Sequence, residues 1–383
     1  MSEPTKHAAR ASAPWWAKTM VITGSMVMVI AGGGAIAAQV GTNMLNSSLN
    51  SDDLLGDQRV EAGEEIEGPL NFLVLGTDER VGAGGLARTD ADIIVHINED
   101  LTQITMVSLP RDLLVDIPSG IPADQTKLTE AFAFSEDWGD SFGNTAETIT
   151  ALTDVSFNGG AIANFEGFLD LVDELGTIEL CPWHEITSIH TDVTYPEGCA
   201  DYDKDEALDI VRQRYVWDWD EDYANGTWGD FGRQKMQQQS IMKVLEEAKA
   251  QDYHKNPIKA VELLNSFGEA LTIDLGGYSL TEMITQMANV EPSEIISIGV
   301  PSSAEDINGT SYVVTHEGEE QEAADSLYQA INDDTLIEWA CQYPEWTSGD
   351  EEPDCSGVDT GDGTGDGASE DAEAEDGGES TTE

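Results

Sequence analysis

The sequence predicts an α/β domain standing on a single membrane-crossing helix, and three observations carry that reading. Between Asn71 and Asp112, short apolar runs (Phe72 to Leu75, Ile93 to Val95, Ile104 to Leu109) alternate with turn residues and charges. That is the pattern of buried strands. After residue 126 the apolar spacing changes to that of helices. From Thr19 to Ser51 no residue is charged, and Thr19 to Val40 is mostly apolar.

The charge balance narrows the function. With 75 acidic and 17 basic side chains, the formal net charge is −58. A phosphate backbone demands basic patches, so nucleic acid is excluded as a partner. Electrostatic adhesion of the globular part to anionic lipid is excluded on the same ground. Between the two ends about 280 residues remain, enough for one large core.

The N-terminus sets the compartment. At about 1.5 Å per residue, residues 19–40 make roughly 33 Å of helix, enough to span a bilayer. Lys6, Arg10 and Lys18 precede the segment and the next charge is Asp52. Positive-inside asymmetry places residues 1–18 in the cytoplasm and the rest outside, on a single-pass anchor. Trp15 and Trp16 stand where interfacial aromatics belong. A cleaved signal peptide, cut after the small residues Ala35-Ile36-Ala37, is the alternative, and it too leaves the bulk extracytoplasmic. Four cysteines suit that side. Local pairing, Cys181 with Cys199 and Cys341 with Cys355, is favoured, while a core-to-tail link such as Cys181–Cys355 stays open.

In chain order, residues 41–68 read as a polar stalk and 69–347 as the folded domain. Strand 70–76 leads to a glycine-rich loop holding Asp78 and Arg80. Arg88 and Asp90 precede strand 91–98, and Asn98 to Leu101 turns the chain into strand 103–109. Pro110-Arg111-Asp112 breaks that strand, which resumes at 113–117. Helices are expected at 127–136, 144–153 and 165–175, the last capped by Gly176. A strand at 177–181 opens a loop holding His184, His190 and Tyr195, which lack a metal-binding spacing.

Asp203 or Asp205 caps a helix ending near Ile210. Arg212 and Arg214 would then share one face of an extended segment. The loop 216–230 carries Trp217, Trp219, Tyr223 and Trp228, which suit stacking on sugar rings and packing the loop down equally. A long helix over 231–250 puts Arg233 and Gln237 on one face. Helices at 257–270 and 279–289, strands at 294–300 and 311–315, and a helix at 321–332 complete the core. From Ser348 to Glu383 the chain holds 14 acids and no basic residue. It reads as a disordered tail.

The arginines are not scattered. Six of eight (Arg80, Arg88, Arg111, Arg212, Arg214, Arg233) fall in a few short blocks, the first three interleaved with Asp78, Asp90 and Asp112. Gathered at one sheet edge, they would make a positive cleft for a multiply charged anion such as a pyrophosphate, with Asp oxygens suited to Mg²⁺. Weak surface ion pairs are the plainer reading.

These blocks carry a resemblance. GTDER (76–80), ARTDADIIVHIN (87–98), VSLPRD (107–112), TKLTEAFAF (126–134), ALDIVRQR (207–214) and GDFGRQKMQQQ (229–239) stand in order. Together they resemble the LytR-CpsA-Psr (LCP) family of Gram-positive, actinobacterial-type cell-wall polymer transferases, over roughly residues 68–340. The resemblance implies an α-β-α sandwich with a mixed central sheet and an apolar tunnel for a lipid tail. It implies a Mg²⁺-dependent phosphotransferase that moves a glycan phosphate from a polyprenyl-pyrophosphate carrier to a hydroxyl of peptidoglycan or a cell-wall protein. Asp78 and Asp90 would hold Mg²⁺. Arg88, Arg111, Arg212, Arg214 and Arg233 would grip the phosphates beside Gln237, with Arg80 and Lys127 in support. Asp78, Asp90, Arg88 and Arg111 would form the catalytic set. The family often carries a second arginine three residues after that of DFGR. Here Met236 stands there, and Lys235 is a possible substitute. A polyprenyl-pyrophosphate hydrolase and a non-catalytic envelope-binding or regulatory protein are the alternatives.

Overall fold

The computed structural model describes residues 53–60, 63, 66–77, 87–135, 137–213, 229–251, 271–279, 282–283, 286, 290, 295–348, 353 and 355–356. The expected anchor, the Asp78–Arg80 loop, Arg214, the Trp-rich loop before Gly229, the helix at 257–270 and nearly all of the acidic tail lie outside them. Among the described residues no helix is long and apolar enough to cross a membrane.

A run of Leu, Val and Ile builds the centre. Strands β1 (Leu70–Thr77), β2 (Thr89–Ile97) and β3 (Ile104–Leu109) form an antiparallel meander. The β2–β3 turn is held by Asn98, whose Oδ1 accepts from the backbone N–H groups of Thr102 and Gln103. After Pro110 the chain makes a small hairpin of β4 (Leu114–Asp116) and β5 (Gln125–Lys127).

Sequence reading expected a helix over 127–136. Instead Leu128–Glu130 is a single 3-10 turn. The backbone N–H groups of Leu128 and Thr129 donate to the carbonyls of Leu113 and Arg111, so pairing with the strand-end segment takes the donors a helix would need. Helix α1 (Trp138–Thr153) starts six residues earlier than expected, capped by Asp137.

The next strand, β6 (Gly159–Asn164), escaped sequence reading because Gly-Gly-Ala-Ile-Ala-Asn lacks the bulk that marks a strand. The small residues serve close packing. A Cβ at Gly160 would run into the Phe142 ring and the Leu73 carbonyl oxygen. Helix α2 (Phe165–Leu175) follows as expected, and Gly176 takes φ 86° behind it. Three short strands, β7 (Ile178–Leu180), β8 (Ile186–Thr187) and β9 (Thr194–Tyr195), and then β10 (Ala200–Tyr202), lead into helix α3 (Lys204–Val211). Asp203 and Glu206 cap α3 reciprocally, a capping box. Helix α4 (Gly229–Ala250) follows.

Strands β11 (Leu271–Asp274) and β12 (Ile296–Gly299), the hairpin β13 (Ser303–Ile307) and β14 (Thr310–Val314), helices α5 (Glu319–Asn332) and α6 (Leu336–Gln342), and the edge strand β15 (Thr347–Ser348) complete the domain. β11 is an element beyond those the sequence predicts. Within the expected helix 279–289, only residues 282, 283 and 286 are described as helical.

The main sheet runs β11-β6-β1-β2-β3-β12-β15. β1 is parallel to β6 and β3 to β12, so the sheet is mixed, as expected. Alternation along the strands gives it two apolar faces. Phe72, Val74, Val95 and Met106 pack against α2, α3 and α4 through Val172, Ile210, Met242 and Leu245. Leu73, Leu75, Ile94 and Val107 pack against α1, α5 and α6 through Phe142, Leu327 and Trp339. Helices thus cover both faces of a central mixed sheet.

Two boundaries shift. Residues 53–60, read as stalk, fold onto the domain. Leu54 and Leu55 are 2% and 4% exposed, and Arg59 bonds the buried Asp274. Two leucines beside a cation with a buried carboxylate partner explain why this polar-looking stretch docks. At the other end, Ser348 pairs with Ser297. Cys355 is bonded to Cys341, and Cys181 to Cys199, so the described cysteines contain no free thiol.

Candidate active site

The topology brings charged residues to one edge. The carboxyl ends of β6, β1, β3 and β12 and the start of the antiparallel β2 all meet there. Ligands of open α/β sheets bind at such an edge.

Asp90 is its centre. It lies inside β2, not before it as expected. The β1–β2 register slips between Gly76 and Thr77, so Asp90 stands opposite no residue of β1. Such a bulge re-aims a side chain. Asp90 Oδ1 accepts from Arg111 Nη1 at 2.5 Å and from Arg233 Nη1 at 3.3 Å. Arg111 comes from the break after β3 and Arg233 from the first turns of α4. Arg233 is only 4% exposed. Burying a guanidinium this deeply is costly without a carboxylate partner. The charges continue outward: Arg111 Nε lies 3.9 Å from Asp112, and Asp112 Oδ1 accepts from Lys127 Nζ at 3.0 Å. Lys127 also stands 5.5 Å over the Tyr312 ring.

The other candidates divide. Arg88 turns to Glu130, with two hydrogen bonds of 2.7 and 3.1 Å, and is half exposed. Arg212 is the C-cap residue of α3 and keeps helical backbone angles (φ −87°, ψ −12°), not the extended conformation expected, because its N–H still bonds the Leu208 carbonyl. Gln237 lies one turn beyond Arg233 on α4. Asp78, Arg80 and Arg214 are outside the described residues. Lys235, the possible substitute for the second arginine, does not share a face with Arg233. It sits about 200° around α4 from Arg233, with its ammonium 5.5 Å from the Trp183 ring. Met236 is fully buried in the core.

Sequence reading missed Asp92. It is 1% exposed, between Leu75 and Leu109 on the neighbouring strands. Its Oδ2 accepts from Thr89 Oγ1 at 3.1 Å. Its Oδ1 has no hydrogen-bond partner among the described residues. Burial pushes its carboxyl up to about 7; the Thr89 hydroxyl opposes the rise, Asp90 adds to it, and Arg111 and Arg233 oppose it. Beginning the strand at Thr89 would have found it, because Asp90-Ala91-Asp92 then has strand spacing.

Among the described residues, Asp90 offers the site a carboxylate oxygen not bonded to an arginine. Both arginine contacts fall on Oδ1, and Oδ2 is an oxygen of the kind Mg²⁺ takes.

Comparison with known proteins agrees with the fold and with the family resemblance. The LytR_cpsA_psr family model matches residues 38–329. A polyisoprenyl-teichoic acid–peptidoglycan teichoic acid transferase, TagU of Oceanobacillus iheyensis, is 26% identical over 326 residues, 83% of this chain and 94% of that protein. TagT of Bacillus subtilis, a transferase of the same description, is 25% identical over 298 residues, 73% of this chain and 85% of its own. Among solved structures, TagT bound to LIIa-WTA superposes with a TM-score of 0.54 at 22% identity, covering 72% of this chain and 97% of that one. TagT with bound octaprenyl pyrophosphate lipid gives 0.51 at 20% identity, covering 73% and 95%.

Proposed function

Because the chain belongs to the LytR-CpsA-Psr family, we propose that it is a membrane-anchored transferase. It moves a glycan phosphate from a polyprenyl-pyrophosphate carrier to a hydroxyl on peptidoglycan or a cell-wall protein. One observation carries this reading beyond the family: in so acidic a chain, Arg111 and Arg233 converge on Asp90 at the ligand-binding edge of the sheet. The relatives' names point the same way, as does the pyrophosphate lipid held by TagT.

The roles follow from charge. Arg111 and Arg233 offer guanidinium forks to two adjacent phosphates, with Arg212 and Gln237 alongside. Asp90, together with Asp78, would hold Mg²⁺. An ion held there would supply positive charge to offset that of the phosphate groups. Asp112 holds Lys127 and lies beside Arg111, so the cations stay in place before substrate arrives. That saves reorganisation during the reaction. The residue 19–40 anchor would keep the domain beside the membrane that carries the lipid, on the side where both disulfides persist.

Arg111→Ala tests the reading. It should weaken binding of a polyprenyl pyrophosphate by about 10²-fold, the scale for losing a charge-assisted contact at a desolvated site. A polyprenyl alcohol of equal length should bind as before. Equal losses for the two ligands would mean that Arg111 supports the fold and does not recognise phosphate.

A further inference from the structure

The loop closed by Cys181–Cys199 lies against both elements that carry the described arginines of the later blocks. The Cys181 backbone N–H donates to Gln239 Oε1 on α4, the helix of Arg233. On its other side the loop meets α3, the helix that ends at Arg212, through a buried polar cluster.

Asp209 is the hub of that cluster, and it is only 6% exposed. Its Oδ1 accepts from Ser188 Oγ at 2.8 Å and from Gln213 Nε2 at 3.1 Å. Its Oδ2 accepts from Thr191 Oγ1 at 2.6 Å and from the Tyr195 hydroxyl at 2.9 Å. Four donors thus surround one carboxylate, three of them from the loop. Burial, with Asp209 beside it, pushes the Tyr195 hydroxyl well above its ordinary value, so it remains a donor.

Gln213 is the more telling member. It follows Arg212 directly and is fully buried. Its Nε2 also donates to Ser188 Oγ at 2.9 Å and to the Asp209 carbonyl at 2.8 Å. Its Oε1 accepts from the Ile189 backbone N–H at 3.1 Å. A surface segment leaving a helix does not need this. A fully satisfied buried amide costs ordering entropy, and its specific gain is a fixed geometry. What it fixes is the chain at the point where Arg212 leaves α3.

We infer that Gln213 is a positioning residue: locked under the disulfide-closed loop by Asp209, Ser188 and Ile189, it sets where Arg212 presents its guanidinium to the bound pyrophosphate. The loop is then a brace between α3 and α4, and it sets the spacing of the arginines at the two helix ends. This rests on the reading of Arg212 as a phosphate ligand.

A double-mutant cycle tests it with the full-length protein and a polyprenyl-pyrophosphate-linked glycan donor. Gln213→Met keeps the bulk and removes every side-chain hydrogen bond. It should raise the KM for the donor by about tenfold, with kcat changed less. Arg212→Ala should raise it at least as much. The double variant should be no worse than Arg212→Ala alone, because the two residues act through one contact. Ser188→Ala, which removes one partner of Gln213, should repeat the pattern in milder form and serves if Gln213→Met does not fold. Additive effects, or a lowered melting temperature with KM unchanged, would make Gln213 merely structural and overturn the inference while leaving the phosphate-ligand reading intact. An unchanged KM in Arg212→Ala alone would overturn both.

Discussion

Asp92 gives the site a measurable electrostatic signature. Its carboxyl rises from the ordinary 3.8 to about 7 because it is buried. Each tenfold change in proton affinity is worth about 1.4 kcal/mol, so the rise corresponds to about 4 kcal/mol. The sign follows from linkage. Between pH 3.8 and about 7, the unfolded chain releases this proton and the folded chain keeps it. Stability therefore falls across that window as pH rises, and the loss is complete above it. Asp92→Asn removes the loss, because the amide oxygen still accepts from Thr89 and carries no charge to desolvate. At the acid end, variant and wild type should melt together. By neutral pH the variant should melt higher by about 10 °C for a domain of this size. The assay is thermal melting followed by circular dichroism across that range, in chelator so that no metal ion contributes. A gap between the two melting temperatures that does not widen with pH would refute the assignment of a buried, proton-holding carboxyl.

Two further outcomes test the frame that holds the site. The Cys181–Cys199 bridge closes an 18-residue step, so Cys181→Ala should cost about 3 kcal/mol in denaturant unfolding. An unchanged denaturation midpoint would show that the loop is held by its polar cluster alone. Gly160→Ala drives a methyl group into the Phe142 ring and the Leu73 carbonyl oxygen, and should destabilise by about 1–3 kcal/mol. A variant as stable as wild type would mean that β6 and α1 separate more easily than their packing implies.

How much of this could be read in advance depends on how each residue does its work. β1, β2 and β3 announce themselves through consecutive Val, Ile and Leu, and α2 through its apolar stripe ending at Gly176. β6 stays hidden because Gly159 and Gly160 are chosen for lack of bulk, a demand made by Phe142 and Asp274 from distant parts of the chain. The 127–136 stretch has helical spacing, yet its first donors pair with Arg111 and Leu113. Local pattern cannot show that. At the candidate site, the meeting of Arg111 and Arg233 on Asp90 is foreshadowed by the scarcity of arginine in this sequence, which makes their clustering stand out. Arg88 shared that signal but turns to Glu130, since an exposed arginine takes the nearest carboxylate. Asp92 shows only through the strand spacing from Thr89, and Gln213 carries no signal of its own. Asp and Gln are ordinary residue types, and only burial makes them matter.

Transfer of a phosphate-linked glycan at this edge, as proposed, is tested most directly by supplying both substrates. The purified full-length chain in detergent is given Mg²⁺ and a polyprenyl-pyrophosphate-linked glycan, with and without peptidoglycan. Glycan phosphate should become attached to peptidoglycan. Release into water alone should be far slower, because a positioned hydroxyl gains from orientation that free water lacks. Asp90→Asn should abolish the transfer. Phosphate release at the same rate whether or not peptidoglycan is present would mark a hydrolase. Lipid binding with neither reaction would mark a regulator, and either result would contradict the claim.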